Sequence, residues 1–281
     1  MPISGASVSL FVDDDFKEKL SYGTNGVYTG TYLPKPGDEI KIEVIAGCFD
    51  PIRSHTVIPE EPGIVVNDST VIVREVEHNV PNNNNTVNKT TYRSMQVQLK
   101  LTDAANQENY YFIKALKKYY RKPEIETEKI LELKLSEVLK KNFIDNGNFL
   151  KEIVGDEGKT ERVDNLFSDH FVNGKDILFD FSYCDTLESV TYFNSEITDT
   201  GNGEEKALTV EYIIEIGEIS KDLYQYVISG NKMLNSKDTP FSEPVLIHTN
   251  IENGIGILGA YNTYRFVSRF QTNYFPDYFA Q

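Results

Sequence analysis

Tryptophan is absent from the 281 residues, and cysteine, histidine and methionine are scarce at two, four and three copies. Sugar-binding platforms lean on tryptophan, so its absence counts against a carbohydrate groove. Cys48 and Cys184 form no C-x-x-C pair, which removes thiolate zinc sites and dithiol redox chemistry. Each closes an apolar strand-like run, so buried free thiols are expected, with a mutual disulfide as the alternative. His55, His78, His170 and His248 show no H-x-H or H-E-x-x-H spacing, so no metal pair is encoded locally. Basic residues are outnumbered, 28 against 43 acids, for a net charge of −15. That balance opposes nucleic-acid binding, which needs clustered cations to neutralise phosphates. No run approaches the roughly 18 apolar residues of a membrane helix, and no signal peptide is visible. A G-x-S-x-G elbow is also missing.

What is present is a 40% hydrophobic chain, enough for a sizeable core, with 17 Tyr and 16 Phe. Apolar residues mostly alternate. Ala6, Val8, Leu10 and Val12, then Ile40, Ile42 and Val44, keep the period of two that puts one strand face in a core. DDDFKEK reads as a polar turn between strands and GVYTGTYL as a second run. Met95, Val97, Leu99 and Leu101 alternate cleanly, NYYFIKAL looks like their partner strand, and ALTVEYIIEI is a further strand. NVPNNNNTVNKTT reads as an Asn-rich loop. Two stretches suggest helix. Residues 123–142 begin with Pro123 and early glutamates. Residues 220–235 offer Ser220 as cap, Asp222 in the first turn and an apolar stripe at Leu223, Tyr226 and Val227. The expectation is a mainly β protein. Residues 1–60 would form an N-terminal Ig-like or prealbumin-like β-sandwich, and residues 61–281 a larger β-rich domain with one or two helices.

Several fragments imitate functional motifs. ENGIGILGAY places Gly254, Gly256 and Gly259 in a literal G-x-G-x-x-G. A dinucleotide site needs a strand before the glycines, a helix starting on them and a further strand with an acid about twenty residues on. Val245–Thr249 reads as the strand, but the sequel AYNTYRFVSRF is aromatic and β-branched, so a turn or irregular connection is expected and no cofactor. Ser168, Asp169 and His170 adjoin, which is not a triad, because a triad needs a base held in line by a third group. Asp13, Asp14 and Asp15 lack calcium-loop spacing and read as a charged hairpin turn. Lys114–Lys122, KALKKYYRK, reads as a solvated face.

Read in a wider window, LYQYVISGNKML followed by FSEPVLIHTNIENGIGILGAYNTYRF resembles the closing signature of domain-of-unknown-function family 4249, a family of Bacteroidetes lipoproteins. Tyr224, Tyr226, Pro244, Asn250, Ile251, Gly254, Gly256, Gly259 and Tyr261 carry the resemblance. SGASVSLF with GVYTG and PGDEIKIEV, the crossover VIPEEPGI, the segment VQLKLTDAANQENYY and the segment LFSDHFVNGKDILFDF follow in the family's order. The span 115–160 is longer and more charged than the family pattern. The resemblance implies a lipidated cysteine and further β-segments upstream, and an exported, lipid-anchored protein of the outer membrane on its periplasmic or cell-surface side. Genes of such proteins tend to lie beside TonB-dependent transporters, which makes a transporter the expected partner. No reaction comes with the resemblance.

The leading expectation is therefore a non-catalytic binding or accessory protein of a TonB-dependent transporter in nutrient uptake. A hydrolase acting on a polysaccharide or peptide, and a structural or adhesive surface module, are the rivals. Tyr261, Tyr264, Tyr274, Phe275 and Tyr278 in the aromatic tail are the expected partner contacts, with a core strand as the competing reading of that tail. Pro244, Asn250, Gly254, Gly256 and Gly259 are expected to be structural.

Overall fold

The computed structural model describes residues 3–47, 49–80, 83–105, 107–121, 129–133, 135–138, 165–193, 196–199, 208–236 and 245–272. The chain is mainly β, and every strand pairing among the described residues is antiparallel. The first sheet has the order β2-β1-β5-β6, from Ser7–Val12 (β1), Asp15–Lys19 (β2), Glu39–Ile45 (β5) and Ile52–Val57 (β6). Ser21–Tyr22 (β3) and Tyr28–Thr29 (β4) form a separate ribbon. The turn expected across DDDFKEK contracts to Asp13 and Asp14, both at positive φ (51° and 65°), and Val12 pairs Asp15. Such two-residue turns match the twist of the strands they join, so Asp15 onward is already strand. GVYTGTYL contributes only Tyr28 and Thr29 to a strand.

Two larger sheets follow. One has the order β13-β12-β8-β7, from Gly63–Val80 (β7), Asn83–Thr102 (β8), Asp176–Phe193 (β12) and Glu196–Asp199 (β13). The other runs β10-β9-β14-β15, from Tyr110–Arg121 (β9), Lys129–Leu133 (β10), Leu208–Ile219 (β14) and Tyr261–Thr272 (β15), with Leu166–Ser168 (β11) also on β9. Leu135–Val138 (α1) is one turn of helix and Lys221–Ser236 (α2) a full helix.

The main core lies where the two large sheets meet. Met95, Val97, Leu99 and Leu101 of β8, Ile177, Phe179 and Phe181 of β12, Ile113 and Ala115 of β9, and Ile214 and Ile216 of β14 join one cluster, each at most 2% exposed. The period of two delivers every one of them to the same gap. NYYFIKAL is thus not the partner strand of β8. Strand β9 pairs β14, β10 and β11 and belongs to the opposite sheet, while β8 pairs β7 and β12.

Two expectations fail for a tertiary reason. The Asn-rich stretch is strand from Asn83 onward: Val80 of β7 pairs Asn83, and from Thr86 the strand is paired with β12 as well. Between Thr86 and Thr91 that central position satisfies both backbone edges and overrides the coil preference of Asn88. The helix expected over 123–142 is a strand at Lys129–Leu133, because Leu131 and Leu133 turn inward against neighbouring apolar clusters while Ile130 and Glu132 face out. Only Leu135–Val138 of that span is helical among the described residues. Cys184 is a free, exposed thiol rather than a buried one, because it lies on the outward side of β12 between buried Tyr183 and largely buried Asp185. Cys48 lies outside the described residues.

Candidate functional site: a glycine clasp, an apolar cleft and a polar tier

The glycine segment is built as a clasp. Residues 245–249 are not a strand, no helix begins at Gly254, and the helix of this region, α2, comes before the glycines. The order required for a pyrophosphate cradle is therefore reversed. Glu252 bridges to Arg53 on the edge of β6, with the Glu252 N–H donating to Arg53 O at 2.8 Å. Asn250 is the hub. Its Nδ2 donates to Leu258 O at 2.9 Å, His55 O at 3.2 Å and Asp222 Oδ2 at 3.4 Å; its Oδ1 accepts the Leu258 N–H at 2.9 Å. One side chain thus ties the first sheet, α2 and the segment that leads into β15. His248 Nε2 sits 2.8 Å from Asp222 Oδ1.

The glycines serve close approach. A Cβ on Gly259 would stand 2.9 Å from Leu223 Cβ of α2, and one on Gly254 would stand 2.8 Å from Ile251 Cγ2. Gly256 sits at φ +136°, which side-chain-bearing residues rarely adopt. Ser220 does not cap α2 with its hydroxyl in the expected way. Its Oγ accepts the Ala260 N–H at 3.2 Å and so joins the helix start to the clasp.

Other resemblance-bearing segments also interlock. Tyr111 donates to Asp103 Oδ1 at 2.6 Å, and the Gly174 N–H donates to Asp103 Oδ2 at 2.7 Å. Asp169, 3% exposed, accepts the Asn109 N–H at 3.0 Å and the Asn173 amide at 3.2 Å. Burial raises the Asp169 carboxyl above its ordinary value. Asp169 is thereby committed to loop architecture. Among the described residues, no group of three or more His, Cys, Asp or Glu could hold a metal ion, and no helix is long and apolar enough to cross a membrane.

Of the expected partner contacts, Tyr261 is 64% exposed, with its ring edge-on to Phe112 at 6.2 Å. Tyr264 packs against the main core. Tyr274, Phe275, Tyr278 and Pro244 lie outside the described residues.

Two features that no motif announces are more distinctive. The first sheet stacks three apolar rungs on one face: Val12 with Ile40, Leu10 with Ile42, and Val8 with Val44. Leu20, Tyr32 and Ile58 pack against the first two. The Val8–Val44 rung instead opens into a cleft of about 820 Å³, walled by Ile3, Val8, Tyr28, Val44, Phe49 and Ile52. Asn25, Asp50 and Asn253 bring polar groups to it, and Asn253 comes from the clasp. Phe49 is 68% and Ile3 48% exposed. The covered end is pinned by Glu18, which accepts the N–H groups of Thr31 at 2.7 Å and Tyr32 at 2.6 Å. Those bonds, Tyr32's first, hold its carboxyl below the usual range.

The second feature closes one end of the main core. Arg93 pairs Asp185 across β8 and β12, and Lys117 pairs Tyr212 across β9 and β14. These rungs face each other, and both Lys117 Nζ and the Tyr212 hydroxyl reach the Asp185 carboxylate. Lys117 is thus not on a solvated face: its side chain is 14% exposed and that of Asp185 10%. Tyr183 stacks on Tyr212 at 4.1 Å, and the Arg93 guanidinium lies 4.4 Å from the Phe270 ring centroid. A short apolar segment that suddenly carries charge on its inward positions was the only sequence signal for this tier.

No curated protein matches the chain. Comparison with protein families matches residues 1–266 to the family described as Domain of unknown function (DUF4249). That match takes in the first sheet, the clasp and half of β15, so the chain belongs to the DUF4249 family.

Proposed function

We propose that the protein is a non-catalytic binding or accessory protein and that the apolar cleft of the first sheet receives its partner. The observation that carries this reading is the cleft at the Val8–Val44 end of the first sheet, whose wall includes the exposed apolar side chains of Ile3 and Phe49. A volume of about 820 Å³ lies in the range of recognition sites. An aliphatic and aromatic wall with few polar groups suits apolar anchors from another protein. It offers no set of convergent acids and bases of the kind a reaction needs.

The family resemblance supplies the partner class and the setting. The partner is a TonB-dependent outer-membrane transporter engaged in nutrient uptake, and the protein is held at that membrane by an N-terminal lipid. The test is capture of the lipidated protein from native outer membranes, with Phe49→Asp as the comparison. Phe49 is 68% exposed, so the change costs little folding stability. The expected outcome is recovery of an identified transporter with the wild type and its loss with the variant. Equal recovery by both would remove the cleft from the reading.

A further inference from the structure

Strand β7 is the edge of its sheet, and among the described residues no strand pairs with its outer side. It is 18 residues long, and every residue from Val65 to Glu75 is exposed, whichever face it lies on. Val71 is the direct partner of Met95 and shares the face that β8 turns into the core, yet Val71 is 49% exposed where Met95 is 1%. Ile72 and Val73 continue the exposed apolar run. Long, exposed, apolar edges invite a further strand, and proteins usually blunt them with lysine, proline, inward-pointing charge or a bulge. Ser69–Val73 carries none of these. The bulge of β7 comes just before, where its register with β8 shifts between Val66 and Asp68.

The strand's own residues say what fits there. Residues 68–74 read DSTVIVR, with an acid at one end, a base at the other and Val71 in the middle. Laid antiparallel on a second copy about Val71, this segment complements itself. Val71 meets Val71, Ile72 meets Thr70, Val73 meets Ser69, and Arg74 meets Asp68 at both ends. Opposite charges and apolar pairs set directly across an antiparallel ladder are stabilising. In this register Val71 and Val73 of both copies extend the inward face of the sheet, while Asp68 and Arg74 stay on the outer face, as their partners Gln98 and Tyr92 do. A slip of one residue towards Glu75 sets Asp68 against Glu75 and turns the second copy's inward face outward. Glu75 itself is already held by Lys89 at 2.7 Å.

We propose that β7 is a self-association edge, through which two copies pair antiparallel over Asp68–Arg74 about a two-fold axis at Val71. The two sheets then join into one. Each copy offers one such segment, so the contact is isologous and closes at a dimer. It uses no residue of the apolar cleft, and so stands apart from the transporter reading.

The test is sedimentation equilibrium over a concentration series. The wild type should follow a monomer–dimer equilibrium. Asp68→Arg places like charges at both ends of the contact and should weaken dimerisation by about tenfold, because two cross-strand charge pairs change sign. Adding Arg74→Asp makes both ends attractive again and should restore it. Both positions are exposed, so neither change threatens the fold. A second readout fixes the register. With the native cysteines replaced by serine, Val71→Cys should oxidise to a covalent dimer, because the axis sets position 71 against itself. Val73→Cys should not, because position 73 meets Ser69 and lies too far from its own copy for an S–S bond. A monomer at every concentration would overturn the proposal and leave the edge to a strand of another protein. A dimer that Asp68→Arg leaves intact, a double variant that does not recover, or a covalent dimer from Val73→Cys but not from Val71→Cys would overturn it as well.

Discussion

Glu218 shows how a single side chain links architecture to pH. Its Oε1 accepts the Asn109 amide at 2.8 Å, close to buried Asp103 and Asp169. Burial first, then the neighbouring carboxylates, raises its pKa. A carboxyl raised in the fold favours its neutral form there. Its stabilising contribution is full below the unfolded value of about 4.3 and is lost as pH climbs through the raised value. Glu218→Gln keeps the acceptor oxygen and removes the titration. Comparing urea midpoints at about pH 4 and about pH 8, the variant should gain stability relative to wild type at the higher pH. A constant offset between the two proteins would show that Glu218 does not titrate in the fold. At this scale the sequence was informative about what glycine does and silent about who meets it. The missing helix after Gly259 was legible from AYNTYRF, whereas the contact between Gly259 and Leu223 depends on where α2 docks. Lys117 was misleading, because KALKKYYRK looks solvated until β14 and β12 close over one of its lysines.

At the scale of elements, alternation was a sound guide where one strand face meets the core, as at Met95–Leu101. It failed where pairing rather than pattern decides. Strand β8 extends into an asparagine-rich stretch because β7 pairs with it and β12 joins from Thr86, and Lys129–Leu133 becomes a strand because β9 offers an edge. The clasp is the element that joins the first sheet to the rest through Asn250, and its hydrogen bonds reach His55, Asp222 and Leu258 at once. Asn250→Ala would strip those partners together. We expect a loss of about 2–3 kcal/mol in urea unfolding, the cost of leaving several partly buried groups unpaired. A loss below about 0.5 kcal/mol, as for an ordinary surface change, would show that the clasp is not structural.

For the whole molecule, the segments that mark the family are the ones that lock it together. TDAANQENYY meets SDHFVNG through Asp103, Asn109 and Asp169, and NIENG meets β6 through Asn250 and Glu252. What distinguishes a site, the cleft at the Val8–Val44 rung and the charged tier, sits at positions with no motif. The cleft was illegible in the sequence because it arises from the arrangement of the β3–β4 ribbon, Ile3 and Phe49 around one rung, not from any local pattern. A net charge of −15 keeps the surface soluble and leaves the apolar cleft as a distinctive sticky feature. The most direct measurement is photo-crosslinking in native outer membranes, with a photoreactive phenylalanine analogue at Phe49 in one protein and at Val73 of β7 in another. Both positions are exposed, at 68% and 57%, but only Phe49 walls the cleft. The account predicts an adduct with a TonB-dependent transporter from position 49 and none from position 73. An adduct from 73 alone, or no transporter adduct from 49, would contradict it.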